Sequence, residues 1–437
     1  MKIRVFVIPA IFGLALFTAG CGIPSSPTAP AAFNWEFGAL KQPISEIDPA
    51  SYRVDELLIV TDQNGLDAAL LDRIGGNVAF QQTIDNIKVY KITLVGSSVP
   101  DAYQKVYGAT GIKLVQPVFI YDIPEKSIPS MAPETPPTAT SRVFSPPTDD
   151  RYTSGQQWGL RAINATTGWP ITTGSTSTII AIVDTGVDAS HADLNGKVLA
   201  GYNTYEIPHT TDVTDDVGHG THCAGIAAGK ANNDGIVGVN WNAKILPVKV
   251  LGPHGGDDIS VGDGIKWAVD NGADVISMSL GGAGYSPYLL TQINYALSYG
   301  VVVICANGNS GKRNESYYPA GFAGTTDVIA VGAMNAFDQP ADFTTASDHV
   351  TLSAPGVDIL SSLPEDLYPT GYGRWDGTSM ATPFVSGAAS LLVYLQSSMT
   401  PAQIKSAFED SARDIDATGW DEKTGYGCLD LGVLLQP

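Results

Sequence analysis

The sequence predicts an α/β protein, a mostly parallel sheet covered by helices, preceded by a small α+β domain. Three observations carry this. From about residue 151 onward, short apolar β-branched runs alternate with helically spaced segments. Residues 52–123 order themselves as strand, helix, strand, strand, helix, strand. A proline-dense stretch over 124–150 divides the two.

The composition excludes several classes. The chain has 437 residues, 44% hydrophobic and 16% charged, which rules out an acidic disordered tail and a coiled-coil rod. Its 47 glycines imply many tight turns without a collagen period. The net charge is −20 and Lys and Arg form no runs, so nucleic acid is not expected as a partner. An acidic surface fits an exported or calcium-binding protein. Four cysteines, Cys21, Cys223, Cys305 and Cys428, are too few for a disulfide scaffold.

In chain order, residues 1–21 read as an export signal, with Lys2 and Arg4 before an apolar run too short to span a bilayer. The small residues Thr18-Ala19-Gly20 before Cys21 resemble a bacterial lipobox, with Cys21 lipidated; ordinary cleavage nearby, leaving a plain thiol, is the other reading. No later stretch is expected to reach transmembrane length. Residues 22–50, rich in Pro, Ala and Ser, read as a linker.

The small domain, 51–123, has expected strands at 52–61, 78–84, 87–95 and 112–123. Leu66, Ala69, Leu70 and Ile74 share one helical face that Gly75-Gly76 ends, and 100–108 is a second helix. This is the ferredoxin-like split-βαβ order. Seven prolines from Pro124 to Pro147 make 124–150 stiff, exposed and open to proteolysis. In 151–437 the expected buried strands are 178–183, 244–251, 274–280, 301–306 and 327–332, with helices at 259–271 and 289–299.

Three segments carry chemistry. A buried strand ends in Asp184-Thr185-Gly186. Gly218-His219-Gly220-Thr221-His222 opens a helical stretch. Gly377-Thr378-Ser379-Met380-Ala381-Thr382-Pro383 opens another. Strand C-termini and helix N-termini of a parallel sheet form its ligand crevice, so the three can converge. A serine hydroxyl needs a base to take its proton; His219 suits that role, and Asp184 would fix its tautomer. Asn309, after another buried strand, could donate to an oxyanion beside the Ser379 N–H.

Asp-Thr-Gly, His-Gly-Thr-His-Cys-Ala-Gly and Gly-Thr-Ser-Met-Ala-Thr-Pro, in that order, resemble the subtilisin-like serine proteases, over roughly residues 157–434. The His-Gly-Thr-His-Cys form and Gln157-Trp158-Gly159-Leu160 are similar to the thermitase branch. Subtilisin is itself the standard example of this chain order and of an asparagine oxyanion donor. The resemblance implies a triad of Asp184, His219 and Ser379 with Asn309 as oxyanion donor. Asn307 departs from the usual Ala-Ala-Gly-Asn pattern. It further implies that Ser279-Leu280-Gly281 and Gly255-Gly256 edge a channel for an extended peptide. Tyr317 stands where many relatives carry a small residue at the base of the first pocket; it either narrows that pocket or points to solvent.

The same resemblance implies structural calcium at Asp193, with the 230–236 loop through Asn232 or Asn233, and Asp150 as a third arm. Asp212, Asp215 and Asp216 form a second candidate; a solvated acidic loop is the alternative for each. His222 is expected to be a packed residue rather than a metal ligand, because no Glu follows His219. The resemblance also implies that 51–123 is an inhibitory propeptide whose tail enters the active site. The expected product is a self-processed, exported, monomeric serine endopeptidase. Its partners would be protein or peptide substrates and its own propeptide, with membrane contact only through a lipid on Cys21. A catalytically dead binding protein would need a broken triad. An esterase would need a Gly-x-Ser-x-Gly elbow with Ser before His. A peptide ligase using the same triad stays open.

Overall fold

The computed structural model describes residues 33–123 and 146–436. The unit treated below begins at Asn34. The signal segment with Cys21 and most of the Pro-rich segment lie outside the described residues.

The N-terminal part contains β1 (Tyr52–Thr61), α1 (Ala68–Ile74), β2 (Gly76–Ile84), β3 (Ile87–Leu94), α2 (Val99–Val106) and β4 (Ile112–Tyr121). Local chemistry sets these bounds. Asp67 caps α1 by accepting from the Ala69 N–H, and Gly75, at φ 68°, ends it in the left-handed region that glycine enters without strain. Ser98 caps α2, with Pro100 in its first turn. The strands pair antiparallel in the order β2-β3-β1-β4. The central strand β1 is buried on both faces, with Leu57, Leu58, Ile59 and Val60 fully enclosed.

Residues 34–50, expected to lie in a linker, instead form a strap over the folded surface. Trp35 is buried, stacks on Tyr295 at 5.4 Å, and donates its Nε1–H to Asp85 at 2.8 Å. Phe37 stacks on Tyr288, Ile44 and Ile47 are buried, and Lys41 donates to the Tyr318 hydroxyl. An irregular extended segment buries apolar residues without a period, so pattern reading misses it.

The C-terminal part opens with short helical turns α3 (Asp150–Thr153), α4 (Trp158–Ala162) and α5 (Ala165–Gly168). Then follow β5 (Ile179–Asp184), β6 (Tyr202–Asn203), α6 (His219–Ala228), β7 (Lys244–Lys249), β8 (Gly256–Asp257), α7 (Asp258–Asp270) and β9 (Val275–Met278). Next come α8 (Pro287–Ser298), β10 (Val302–Ala306), β11 (Ile329–Met334), β12 (Leu352–Pro355), β13 (Ile359–Ser362) and β14 (Tyr372–Trp375). The chain closes with α9 (Thr378–Leu395), α10 (Pro401–Ser411) and α11 (Leu431–Leu434). Seven strands pair parallel in the order β12-β11-β10-β9-β5-β7-β6. Helices α6 and α9 cover one face and α7 and α8 the other, so β10 and β11 are buried at every position.

The sequence reading expected no later stretch of transmembrane length. Helix α9, at 18 residues, is long and apolar enough by that test, but 83% of it is buried inside the fold. It is the core helix that delivers Ser379. Two parts of the molecule meet at β8, which extends the N-terminal sheet by pairing with β4.

Candidate active site

Asp184 ends β5 and His219 begins α6. Their approach depends on Gly220: a Cβ there would lie 2.1 Å from the Gly186 carbonyl oxygen and 3.1 Å from the Asp184 Cβ, so only glycine lets the helix sit this close. His219 Nδ1 lies 2.7 Å from Asp184 Oδ1, and both side chains are buried. The Thr185 N–H also donates to that oxygen at 2.7 Å. Burial opposes a charge on His219, but the adjacent Asp184 carboxylate outweighs it and holds the imidazole well above its ordinary pKa.

Ser379 is the second residue of α9. Pro383, four residues on, has no N–H to offer the Ser379 carbonyl. That carbonyl is taken instead by the Ser279 hydroxyl at 2.8 Å and the Cys223 thiol at 3.6 Å. Burial pushes the Cys223 thiol up, so it serves as a neutral donor. Its Sγ is also 4.0 Å from His219 Nδ1, which ties the serine and histidine helices together. The Ser379 hydroxyl donates to the Ser279 carbonyl at 3.1 Å.

Asn309 follows β10. Its Oδ1 accepts from the Thr378 N–H at 3.0 Å and the Thr378 hydroxyl at 2.8 Å, which orients the amide and assigns Nδ2 as its donor edge. The departure at Asn307 is accommodated away from the reacting atoms: this buried side chain donates to the Thr345 carbonyl and accepts from the Ser347 hydroxyl.

The residues expected to edge a channel flank a strand of the same chain. Ile120 and Tyr121 pair with Asp257 and Gly256 on one side. On the other, the Asp122 N–H donates to the Gly281 carbonyl at 3.1 Å and Gly281 returns a bond at 3.0 Å. Gly255 lies against the Tyr121 carbonyl, where a Cβ would come within 2.5 Å of its oxygen. Leu280 is fully buried behind this ladder. An extended peptide between two backbone edges is β-augmentation, with backbone pairing for affinity and pockets for preference.

The subtilase family model (Peptidase S8) matches residues 175–427. This chain belongs to the subtilase family. Fervidolysin of Fervidobacterium pennivorans is 34% identical over 469 residues, covering 99% of this chain and 66% of that protein. Thermitase of Thermoactinomyces vulgaris is 42% identical over 274 residues, covering 62% of this chain and 93% of thermitase. The crystal structure of fervidolysin, described as a keratinolytic enzyme related to subtilisin, superposes with a TM-score of 0.77 at 32% identity over 90% of this chain and 62% of that one. The subtilase thus spans about two thirds of the length of fervidolysin.

Other expected site residues of this subtilase fall differently. Asp150 is exposed and stands in the first turn of α3. The carboxylate that faces the 230–236 loop is its neighbour Asp149, which accepts from the Asn232 N–H at 2.9 Å. The helix begins at Asp150 and turns that side chain outward, a one-residue choice that sequence adjacency cannot make. Asp193 accepts from Asn232 Nδ2 at 3.0 Å, the Ile236 N–H at 3.0 Å and the Tyr372 hydroxyl at 2.8 Å. Asn233 adopts φ 72° and accepts from the Thr148 hydroxyl.

The second acidic candidate does not converge. Asp215 is buried and spends both oxygens on the Thr185 and Thr221 hydroxyls and on the N–H groups of Val217, Gly218 and Thr221. It caps the turn that presents His219. Asp216 pairs with Lys249 at 2.6 Å, and that ammonium also donates to the Thr185 and Thr214 carbonyls. His222 is fully buried, stacks on Trp375 at 4.8 Å, and burial lowers its pKa to about 3. It is a packed neutral residue, as expected. Sequence reasoning gave Thr378 and Trp375 no role and took Asp215 for a candidate cation ligand. The Gly-Thr-Ser motif contained the signal for Thr378; nothing local marked the other two.

Proposed function

We propose that this subtilase is a serine endopeptidase made as a self-processed precursor, with Asp184, His219 and Ser379 as the triad and Asn309 as the oxyanion donor. The observation that carries the reading is the strand 120–122 lying between the 255–257 and 279–281 edges, with Ser279 at the start of the second edge accepting from the Ser379 hydroxyl.

In that reading Ser379 Oγ attacks the peptide carbonyl carbon while His219 Nε2 takes its proton. Asp184 holds Nδ1–H and stabilises the imidazolium. Asn309 Nδ2 and the Ser379 N–H receive the oxyanion. His219 then protonates the leaving amine, and water, deprotonated by the same imidazole, hydrolyses the acyl-enzyme. Digestion of an unstructured protein, read by mass spectrometry with and without a serine-protease inhibitor, tests this. Inhibitor-sensitive fragments are expected, and none with Ser379→Ala.

Residues 51–123 act in this proposal as the inhibitory propeptide and 124–150 as the processing linker. Self-cleavage between residues 124 and 150 would separate the enzyme from a lipid on Cys21, so the precursor is exported and tethered and the product is released as a monomer. The support is positional: the tail enters the channel from upstream, and the linker follows it directly. Retention of full-length Ser379→Ala in membrane fractions, with release of wild type, tests the order of events.

Calcium is the proposed structural ion. Asp149 Oδ2 is buried without a hydrogen-bond partner among the described residues. Burial raises the Asp149 pKa, and the Asp193 charge adds to this. A carboxylate pair beside an Asn-rich loop suits a hard cation with oxygen ligands. Asp149, Asp193 and the Asn232–Asn233 turn would hold it and supply stability rather than chemistry.

A further inference from the structure

We infer that Tyr317 fills the pocket for the side chain preceding the scissile bond, so that this subtilase cuts after small residues such as glycine, alanine or serine. The inference rests on the endopeptidase reading above.

The strand 120–122 shows how an extended chain lies in the channel. Asp122 exchanges both backbone bonds with Gly281. In an antiparallel ladder, a bound residue two places further on opposes Ser279. The Ser279 carbonyl accepts from the Ser379 hydroxyl at 3.1 Å, so that residue brings its own carbonyl to the nucleophile. Its oxygen must turn toward Asn309 to be stabilised. The residue therefore sits between the 279–281 segment and the 307–309 segment, and its side chain faces the gap between them.

One ring occupies that gap. A Cβ on Gly281 would lie 3.0 Å from Tyr317 Cδ1, and a Cβ on Gly308 would lie 2.9 Å from Tyr317 Cγ and 3.0 Å from Cδ2. The two glycines come from opposite walls, so the phenol ring is packed on both. The backbone behind it is fixed. Tyr318 and Gly282 exchange bonds at 2.8 and 2.9 Å, and the Tyr317 carbonyl accepts from the Gly321 N–H at 2.7 Å. Tyr317 is half-buried, so only side-chain rotation can vacate the space. The ring takes up space between the two walls that a large side chain would need. Since one methylene too many costs on the order of 10-fold or more in such a pocket, the discrimination against a large side chain is substantial.

The test uses the processed enzyme and fluorogenic peptides differing only in the residue before the cleaved bond: Gly, Ala, Leu or Phe. Wild type is expected to favour Ala over Phe in kcat/KM by about 10-fold or more. Tyr317→Gly should raise the ratio of kcat/KM for Phe to that for Ala on the order of 10–100-fold, while Tyr317→Phe keeps the wild-type order because the ring, not the hydroxyl, fills the space. Wild type that cleaves after Phe as fast as after Ala overturns the inference, as does a Tyr317→Gly enzyme with an unchanged ratio. If Tyr317→Gly does not fold, the wild-type preference alone decides. Titration with a fluorophosphonate separates the two levels. A labelled enzyme with the wrong preference removes only the role of Tyr317; an unlabelled protein that cuts no peptide removes the endopeptidase reading with it.

Discussion

The five-stranded N-terminal sheet and the seven-stranded sheet behind Ser379 are covered in different ways. Strands β5, β10 and β11 are sealed by apolar helices. The N-terminal sheet instead turns polar side chains toward α7 and its neighbours. Gln82 donates to Asp263, Gln116 to Asp258, and Lys91 pairs with Asp257 at 2.7 Å. Edge strand β2 is mostly exposed. Separating an apolar interface is costly, because it exposes hydrocarbon to water. A hydrogen-bonded one exchanges its partners for water at small net cost. In the proposed precursor, the difference separates a part that stays from a part that leaves.

The largest effect that tests the comparison is at the permanent side. Ser379→Ala should lower kcat on the order of 10⁶-fold and leave the chain uncut, seen as a single full-length species on intact-mass analysis. Asn309→Ala should lower kcat on the order of 10²–10³-fold with little change in KM, since Nδ2 acts on charge present only in the transition state. Steady-state kinetics on one peptide separates the two variants.

The side proposed to leave carries a pH dependence. Burial raises Asp263 to about 7, against hydrogen bonds from Tyr288 and Gln82, and Asp258 is likewise pushed well above its ordinary range by burial and by Asp257. If both return toward ordinary values once the sheet leaves, separation releases protons. The sheet is then held most tightly in acid, and its grip weakens as pH rises toward about 7. His209, lowered by burial, takes up a proton on release and partly opposes this in acid. The dissociation constant of the processed complex, measured by size exclusion, should rise about tenfold or more from pH 5 to 7. Asp263→Asn should flatten the rise, and a pH-independent constant in wild type would break the comparison.

The smallest effect concerns the two acidic clusters. Chelator should lower the melting temperature by a few degrees if calcium binds only the folded chain. Asp149→Asn should abolish that response, whereas Asp216→Asn should leave it intact because Asp216 already has Lys249.

Much of this was legible in the sequence. The strand and helix order of β1–β4 followed from alternation and from the Gly75-Gly76 stop. The convergence of Asp184, His219 and Ser379 followed from motifs at strand and helix ends. What escaped had no local signature. The strap at Trp35–Ile47 is apolar without a period. Asp149 and Asp150 differ only in where a helix starts. Asp215 looked like a cation ligand because its hydroxyl partners, Thr185 and Thr221, come from other elements.

The central claim, that Ser379 is a nucleophile activated by His219, has one direct measurement. Processed wild type and His219→Ala are treated with a fluorophosphonate, digested and mapped by mass spectrometry. The account predicts one phosphonyl group per molecule on the peptide containing Ser379 in wild type, and none in His219→Ala. Label on a different serine, or equal labelling of the two proteins, would contradict it.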